Sequence, residues 1–588
     1  MCYNLYFNTL RLNKGNPSFA KMVNESSAPL LLTYNSTTSL QENANTYVAE
    51  EQDSQLGQYQ VWRPSLSKVI EEIKQLYAIA FPMIITGLLI YGKSAISMFF
   101  MGKLGKDELA GGSLAIGIAN IFGYSIISGL STGMDAISSQ AYGAKQWLLM
   151  GQTLQRTIVI LTLVCIPISL LWLNFEPVFL LCGQNPVILS NASTYLMFSL
   201  PDLLFQSIIN PLKIYLRTQN ITPPLMLSAA FALVLHAPIN YLLVCELSLG
   251  IQGIAMAGAI TDFILLITLV LYLYFSGICS KSWQDLSLEC FQGWGPILGL
   301  AIPSCFSICL EWWWYELMTI LSGFLNNATE AVATMGIIIQ ATSLVYIFPS
   351  SLNQAISTRV GNELGANRPL KAKTSSRVAL SCAVFISIIA MLFMITMRNA
   401  WGHIFTNDAA ILSLTAMSMP MVGLCELGNC LQTTGCGVLR GSARPTLGVK
   451  INFGSFYVVG LLIAVLMAFV VKIGLSGFWL GLLAAQVACA IVMVVVVLRT
   501  DWMEQAKRAR DLTGRTVDDG EENKIQGIIS VNLENDNRMA IHAISVVGAK
   551  RRRFMNDSTY RAAPNRMRKD DQAGITLQTM AELAKTPL

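Results

Sequence analysis

An all-α polytopic membrane protein, with about twelve transmembrane helices in two pseudo-symmetric six-helix lobes, is the fold this sequence predicts. Three observations predict it. Of 588 residues, 53% are hydrophobic and only 13% charged, with a mean hydropathy of +0.51, whereas soluble domains carry about 25% charge. Apolar runs near bilayer length recur about twelve times along the chain. The second half also repeats the first, since Ala80-Phe81-Pro82 returns as Ala301-Ile302-Pro303 and Gln140-Ala-Tyr-Gly143 as Asn362-Glu-Leu-Gly365.

Residues 1–65 are polar and rich in Ser, Thr and Asn, and read as a disordered cytosolic tail. No cleavable signal peptide is evident there, so the first apolar span is expected to direct insertion. Met22 is an alternative start. The apolar runs lie near 73–97, 109–134, 153–175, 188–212, 224–245 and 252–276, then 296–321, 330–352, 374–397, 409–434, 446–470 and 475–498. This divides the chain into an N-terminal lobe at 66–277, a cytosolic loop at 278–295, a C-terminal lobe at 296–500 and a mostly disordered cytosolic tail at 501–588. The tail carries one basic run, Lys550-Arg551-Arg552-Arg553, suited to solvent or anionic lipid.

The repeat continues to the end of each half: Pro201 answers Pro420, Tyr215-Leu216-Arg217 answers Val438-Leu439-Arg440, and Gly250 with Gly253 answers Gly474 with Gly477. Six spans per repeat keep both halves in one orientation, so an axis along the membrane normal relates them and a cleft lies between them. Lys and Arg concentrate in alternate loops. Lys145, Arg156, Lys213, Arg217, Lys281, Arg359, Arg368, Lys371, Lys373, Arg377, Arg440, Arg444 and Lys450 fall on one side, against Lys103, Lys106, Arg398 and Lys472 on the other. The bias puts both termini in the cytosol. Asn191-Ala-Ser and Asn327-Ala-Thr fall outside, in loops too short for glycosylation to be expected.

Charged residues inside spans are costly and mark function by default. The most unusual stretch is Glu311-Trp312-Trp313-Trp314-Tyr315-Glu316, inside an apolar run. Five residues on a helix rotate the side chain by roughly 140°, so Glu311 and Glu316 face different neighbours and do not share a proton. Glu426 sits mid-way along the tenth span. Desolvation disfavours a charged carboxylate, which is what a proton-coupled carrier requires. Hydrogen bonding for packing specificity is the structural alternative for all three acids. Trp312, Trp313, Trp314 and Tyr315 cover every side of the helix, so at least one faces whatever cavity Glu311 faces, where an aromatic suits a flat organic ligand or cation. The first half carries Lys93, Asp202, His236 and Asp262 at membrane depth, either a proton relay or a set of mutually paired groups. Lys93 either snorkels or pairs with an acid. Asn120 and Asp135, on the second span, are lesser candidates. Pro82, Pro201, Pro303, Pro349 and Pro420 are kinks or bending points.

Thirteen cysteines are scattered without metal-ligand spacing, so neither a metal nor another cofactor is expected. A Cys182–Cys245 bridge stays open. The partners expected are a small organic substrate, protons and the bilayer, with no nucleic acid and a monomeric state.

Four motifs in order, Gln140-Ala-Tyr-Gly-Ala-Lys145, Glu311 to Glu316, Arg359-Val-Gly-Asn-Glu-Leu-Gly-Ala366 and Cys436-Gly-Val-Leu-Arg-Gly441, resemble the multidrug and toxic compound extrusion (MATE) transporters of the plant "detoxification" kind. The resemblance covers about 66–500. It implies twelve helices in two lobes and export of small organic compounds (organic cations, secondary metabolites or hormone-like molecules) against protons or sodium. Protons are expected for plant members, at the plasma membrane or a vacuolar or endosomal membrane, and the chain is not expected to be an enzyme. Glu311, Glu316 and Glu426 match the family's second-lobe acids for cation exchange and substrate binding, with Gln340 standing where some relatives carry another acid. The first-span acid of some prokaryotic members is absent, Lys93 being the nearby charge. Alternatives are a lipid-linked sugar flippase of the wider fold group and a sensor or scaffold acting through its tails.

Overall fold

Hydrocarbon offers a backbone no hydrogen-bond partner, so a spanning segment must satisfy its own N–H and C=O groups. In the computed structural model, which describes residues 65–180, 186–278, 282 and 288–514, every regular element among the described residues is accordingly helical. Eleven continuous helices are long and apolar enough to cross a membrane. These are α1 (Leu66–Leu104), α2 (Asp107–Gly143), α3 (Trp147–Leu173), α5 (Pro223–Glu246), α6 (Gly250–Ser276), α7 (Gly295–Ser322), α8 (Ala328–Gly365), α9 (Pro369–Met397), α10 (Ala409–Gly441), α11 (Pro445–Val470) and α12 (Leu475–Leu498). The fourth span is built differently. It is two pieces, Pro186–Phe198 and α4 (Leu200–Thr218), broken at Ser199. Asp202, Lys213 and Arg217 on α4 make it amphipathic rather than apolar, and Pro201 opens the helix where its missing N–H costs nothing.

Several helices outrun their apolar stretches at one end of the bundle, the end where Leu66 and Gly514 lie, called here the tail side. There α2 continues to Gly143, α8 to Gly365 and α10 to Gly441. Hydropathy misses these turns because they are polar; the ends of α2 and α8 bury against each other across the lobes, and the end of α10 packs on α8 of its own lobe. The contacts are reciprocal. On the tail side α1 packs on α8, α7 packs on α2, and α2 and α8 cross each other. Leu76, Ile79 and Ala80 of α1 share one apolar cluster with Leu352, Ala355, Ile356 and Val360 of α8. At the α2–α8 crossing, a Cβ on Gly143 would lie 2.1 Å from the Asn362 carbonyl oxygen, and one on Gly365 would lie 2.0 Å from that of Gln140. Each repeat thus supplies the glycine that admits the other's backbone.

Each lobe has its own core. In the N-terminal lobe one cluster centres on Met134, Leu154 and Tyr215 and another on Leu161 and Trp172; in the C-terminal lobe Trp314, Phe456, Phe478 and Trp479 are fully enclosed. Wider π turns interrupt α2 at Asn120–Tyr124 and α5 at Tyr241–Glu246, and α11 at Phe453–Gly460 and Leu466–Val470, features common at functional sites.

The chain beyond 500 does not leave the bundle at once. Asp501 caps a further helix, α13 (Trp502–Thr513), by accepting from the Met503 and Glu504 amides. Trp502, Ala506 and Ala509 bury against the α1–α8–α9 cluster, and α13 also touches α2. Residues 1–64 and 515–588, Cys182 and most of the 278–295 loop lie outside the described residues.

Replacing Gly365 with Val should force the α2–α8 crossing apart, at a cost of about 1–3 kcal/mol, and lower the thermal unfolding midpoint in detergent. Gly336→Ala, where an added Cβ meets nothing within 4 Å, is the matched control and should leave the midpoint where it is.

Candidate functional site

Glu311 lies half-buried on α7 and Glu426 fully buried on α10. Both meet neutral donors. Gln432 Nε2 donates to Glu311 Oε2 at 3.3 Å, and Asn429 Nδ2 donates to Glu426 Oε2 at 2.9 Å. The two acids are within electrostatic reach of each other, with Tyr315 near both. No basic side chain of the described residues ion-pairs with either. Glu316, half-buried one turn along α7, has no hydrogen bond among the described residues. This separates it from Glu311 as the helical phase requires.

The four aromatics divide by face. Trp314 is fully enclosed against Phe456 and Tyr457, so it packs the lobe core and offers a ligand no surface. Trp313 Nε1 donates at 3.3 Å to the Ile121 carbonyl in the π turn of α2, tying α7 to the other lobe beside Asn120. Tyr315 is half-buried, and Trp312 is the most exposed of the set at 36%. Gln340, on α8, has its backbone carbonyl approached by the Tyr91 hydroxyl of α1 at 3.5 Å.

The N-terminal acids are paired differently. Lys93 Nζ lies 2.5 Å from Asp262 Oδ1, whose other oxygen accepts from Gln206 Nε2 at 2.6 Å. The Tyr124 hydroxyl donates to Asp202 Oδ2 at 2.5 Å. Lys93 therefore pairs rather than snorkels. His236 stands apart: fully buried, its ring bonds Thr261 Oγ1 at 2.8 Å and Ser97 Oγ at 3.0 Å, with Asn240 at 3.1 Å. Its side-chain partners are thus Thr261, Ser97 and Asn240, and none of them is Lys93, Asp202 or Asp262.

The inter-lobe charges escape a sequence reading. Asp135, fully buried on α2, has Arg217 Nη2 of its own lobe at 2.8 Å, as a charge contact with the N–H not aimed at the oxygen. Ser357 Oγ of α8 donates to the same carboxylate at 2.9 Å, and Arg440 Nη1 of α10 approaches to 3.9 Å. Arg217 in turn reaches Gln354 and Thr358 of α8, at 2.6 and 3.3 Å. A second set joins Glu72 of α1 to Arg359 Nε at 3.0 Å and to Ser375 at 2.7 Å. Arg217, Arg359 and Arg440 look like loop charges in the sequence. In the fold they are helical residues in the lobe boundary, and the signal that would have found them is that Arg217 and Arg440, like Asp135 and Ser357, occupy matching places in the repeat.

Among the described residues no three His, Cys, Asp or Glu side chains gather to hold a metal. Two like lobes of helices long and apolar enough to span a membrane, packed on each other at the tail side, with buried and half-buried acids on α7 and α10, are the architecture of a polytopic membrane transporter. The comparisons are specific. The MatE family model matches residues 82–242 and again 303–466, once per lobe. The chain is 52% identical over 472 residues to Protein DETOXIFICATION 48 of Arabidopsis thaliana, covering 80% of this chain and 88% of that one. It is 52% identical over 458 residues to Protein DETOXIFICATION 49 of the same plant, covering 78% and 91%. The crystal structure of the eukaryotic MATE transporter AtDTX14 superposes with a TM-score of 0.74 at 31% identity, over 76% of this chain and all of that one. The chain belongs to the MATE family, transporters of the multidrug and toxic compound extrusion type.

Asp135→Ala strands Arg217 in the lobe boundary, and loss of one partner from a buried pair costs about 3–5 kcal/mol. The Asp135→Ala/Arg217→Met double variant should be less destabilised than the sum of the single ones in thermal unfolding. Strict additivity would show that the two side chains do not interact.

Proposed function

We propose that this transporter is an antiporter that exports small organic compounds in exchange for protons by alternating access, with Glu311 and Glu426 as the coupling acids and Glu316 in support. The observation that carries the reading is the contrast between lobes. Asp262 is neutralised by Lys93, whereas Glu311 and Glu426 accept hydrogen bonds from side-chain amides and form no ion pair among the described residues, Arg440 acting on Glu311 only at longer range. An acid in such a setting exchanges a proton for a substrate's donor group without first breaking an ion pair.

In this mechanism substrate enters a cleft between the lobes from the cytosol and rests near Glu311, Tyr315 and the exposed face of Trp312. Protons arriving from the opposite side load Glu311 and Glu426 and displace it. Closure of the tail side through Asp135, Arg217 and Arg440 keeps the compartments separate while this happens. Release of that contact exposes the acids to the cytosol, where the protons leave. The conformational change is driven by differential affinity of the two states for substrate and proton. Positive charge on the tail side puts both termini in the cytosol, and the protein acts as a monomer, without a cofactor, in the plasma membrane or a vacuolar or endosomal membrane.

Vesicles carrying the protein, given an imposed pH gradient and a panel of organic cations, phenolics and acids, test the reading. Glu311→Gln should abolish gradient-driven transport while membrane expression and the unfolding midpoint stay near wild type, and Glu426→Gln should reduce it at least tenfold, about 1.4 kcal/mol of coupling. Undiminished exchange by Glu311→Gln sinks the mechanism.

A further inference from the structure

The helix after the last span, α13, buries one face only. Trp502, Gln505, Ala506, Ala509 and Thr513 are buried, at the three- and four-residue steps of a single helical stripe, while Met503, Glu504, Lys507 and Arg508 stand exposed on the opposite side. That face does not rest on one lobe. It packs on α8 and α9 of the C-terminal lobe and on the Gly133–Gly143 end of α2 in the N-terminal lobe. Near its start, Trp502 and Ala506 join the apolar cluster in which α1 meets α8. At its far end, Leu512 packs on a second cluster, formed by Ile137 of α2, Ile160 of α3 and Ile297 of α7. The two clusters belong to the two reciprocal seams between the lobes, α1 with α8 and α2 with α7. From Trp502 to Leu512 the helix rises about 15 Å, and so carries the chain from one seam to the other on the closed tail side.

The two attachments are unequal. The start of α13 is anchored to the C-terminal lobe through a buried Trp502, and Thr500, just ahead of the helix, accepts from Arg444 Nη2 at 3.0 Å in the α10–α11 connection. Arg510 Nη1 adds a hydrogen bond of 2.8 Å to Asn367 Oδ1 in the α8–α9 connection. The far end meets the N-terminal lobe through apolar contact at Leu512, which is itself only half-buried. When α2 moves away from α8 the helix cannot keep both attachments. The apolar one is the one that parts.

We propose that α13 is a strap that holds the tail side closed, and that its Leu512 end leaves the α2–α3–α7 cluster each time the tail side opens. The inference rests on the alternating-access reading and adds to it a restraint outside the twelve spans. A contact made only in the tail-closed state shifts the equilibrium toward that state by the free energy of the contact. The strap therefore opposes opening to the cytosol, and weakening it at Leu512 favours the open state without touching any acid of the coupling site.

Hydrogen–deuterium exchange of the purified full-length protein in detergent, read by mass spectrometry, measures that opening. Leu512→Asp sets a carboxylate against three isoleucines. It should raise amide exchange on the order of tenfold in both 133–143 and 357–365, the helix ends that bury each other at the α2–α8 crossing. Leu512→Met, and Met503→Asp on the exposed face, should exchange as wild type does. Unchanged exchange of 133–143 and 357–365 in Leu512→Asp overturns the proposal, and so does a rise confined to α13 or an equal rise in Met503→Asp. A rise throughout both lobes with a lowered unfolding midpoint assigns Leu512 a packing role and overturns it too. The measurement uses neither substrate nor proton gradient, so a failed strap leaves the Glu311→Gln transport result standing, and failed proton coupling leaves the exchange result standing.

Discussion

A carboxylate buried between two membrane lobes must be paired, because removing its charge from water costs several kcal/mol that only close partners offset. Asp135 is that carboxylate, and much of the lobe boundary is arranged around it. Arg217 comes from its own repeat, Arg440 from the equivalent position of the other repeat, and Ser357 from the position equivalent to Asp135 itself. The charge therefore sits close to the axis relating the lobes. The reciprocal packing of α1 on α8 and α7 on α2, and the close approach at Gly143 and Gly365, join the same two lobes, and Asp135 is fully buried. The charges thus share the boundary with the apolar cluster that α1 forms with α8 and α9.

Duplication gives the two lobes a common scaffold, and divergence of individual side chains gives them different chemistry. In the N-terminal lobe Lys93 neutralises Asp262, a tyrosine holds Asp202, and His236 is sealed among hydroxyls and an amide. In the C-terminal lobe Glu311 and Glu426 keep neutral partners.

Much of this was legible in the chain, for a physical reason. Hydrocarbon imposes a length and composition on a span, so eleven of the runs, their order and the duplication could be read directly, whereas the break and the polar stripe of the fourth could not. Glu311, Glu426 and Lys93 stood out because a charge at membrane depth is costly wherever it sits. The helical phase that separates Glu311 from Glu316 also follows from spacing alone. Only the folded chain decided which charges are paired: that Lys93 meets Asp262 while His236 does not join them, that Trp314 is core and Trp312 is not, and that Trp313 clasps a carbonyl on a π turn. It also decided that Arg217, Arg359 and Arg440 are interior, that α13 packs on the bundle, and that Asp135 closes the tail side. Those outcomes depend on residues that lie far apart in sequence and meet only when one lobe buries its polar helix ends against the other, and hydropathy carries no record of such a partner.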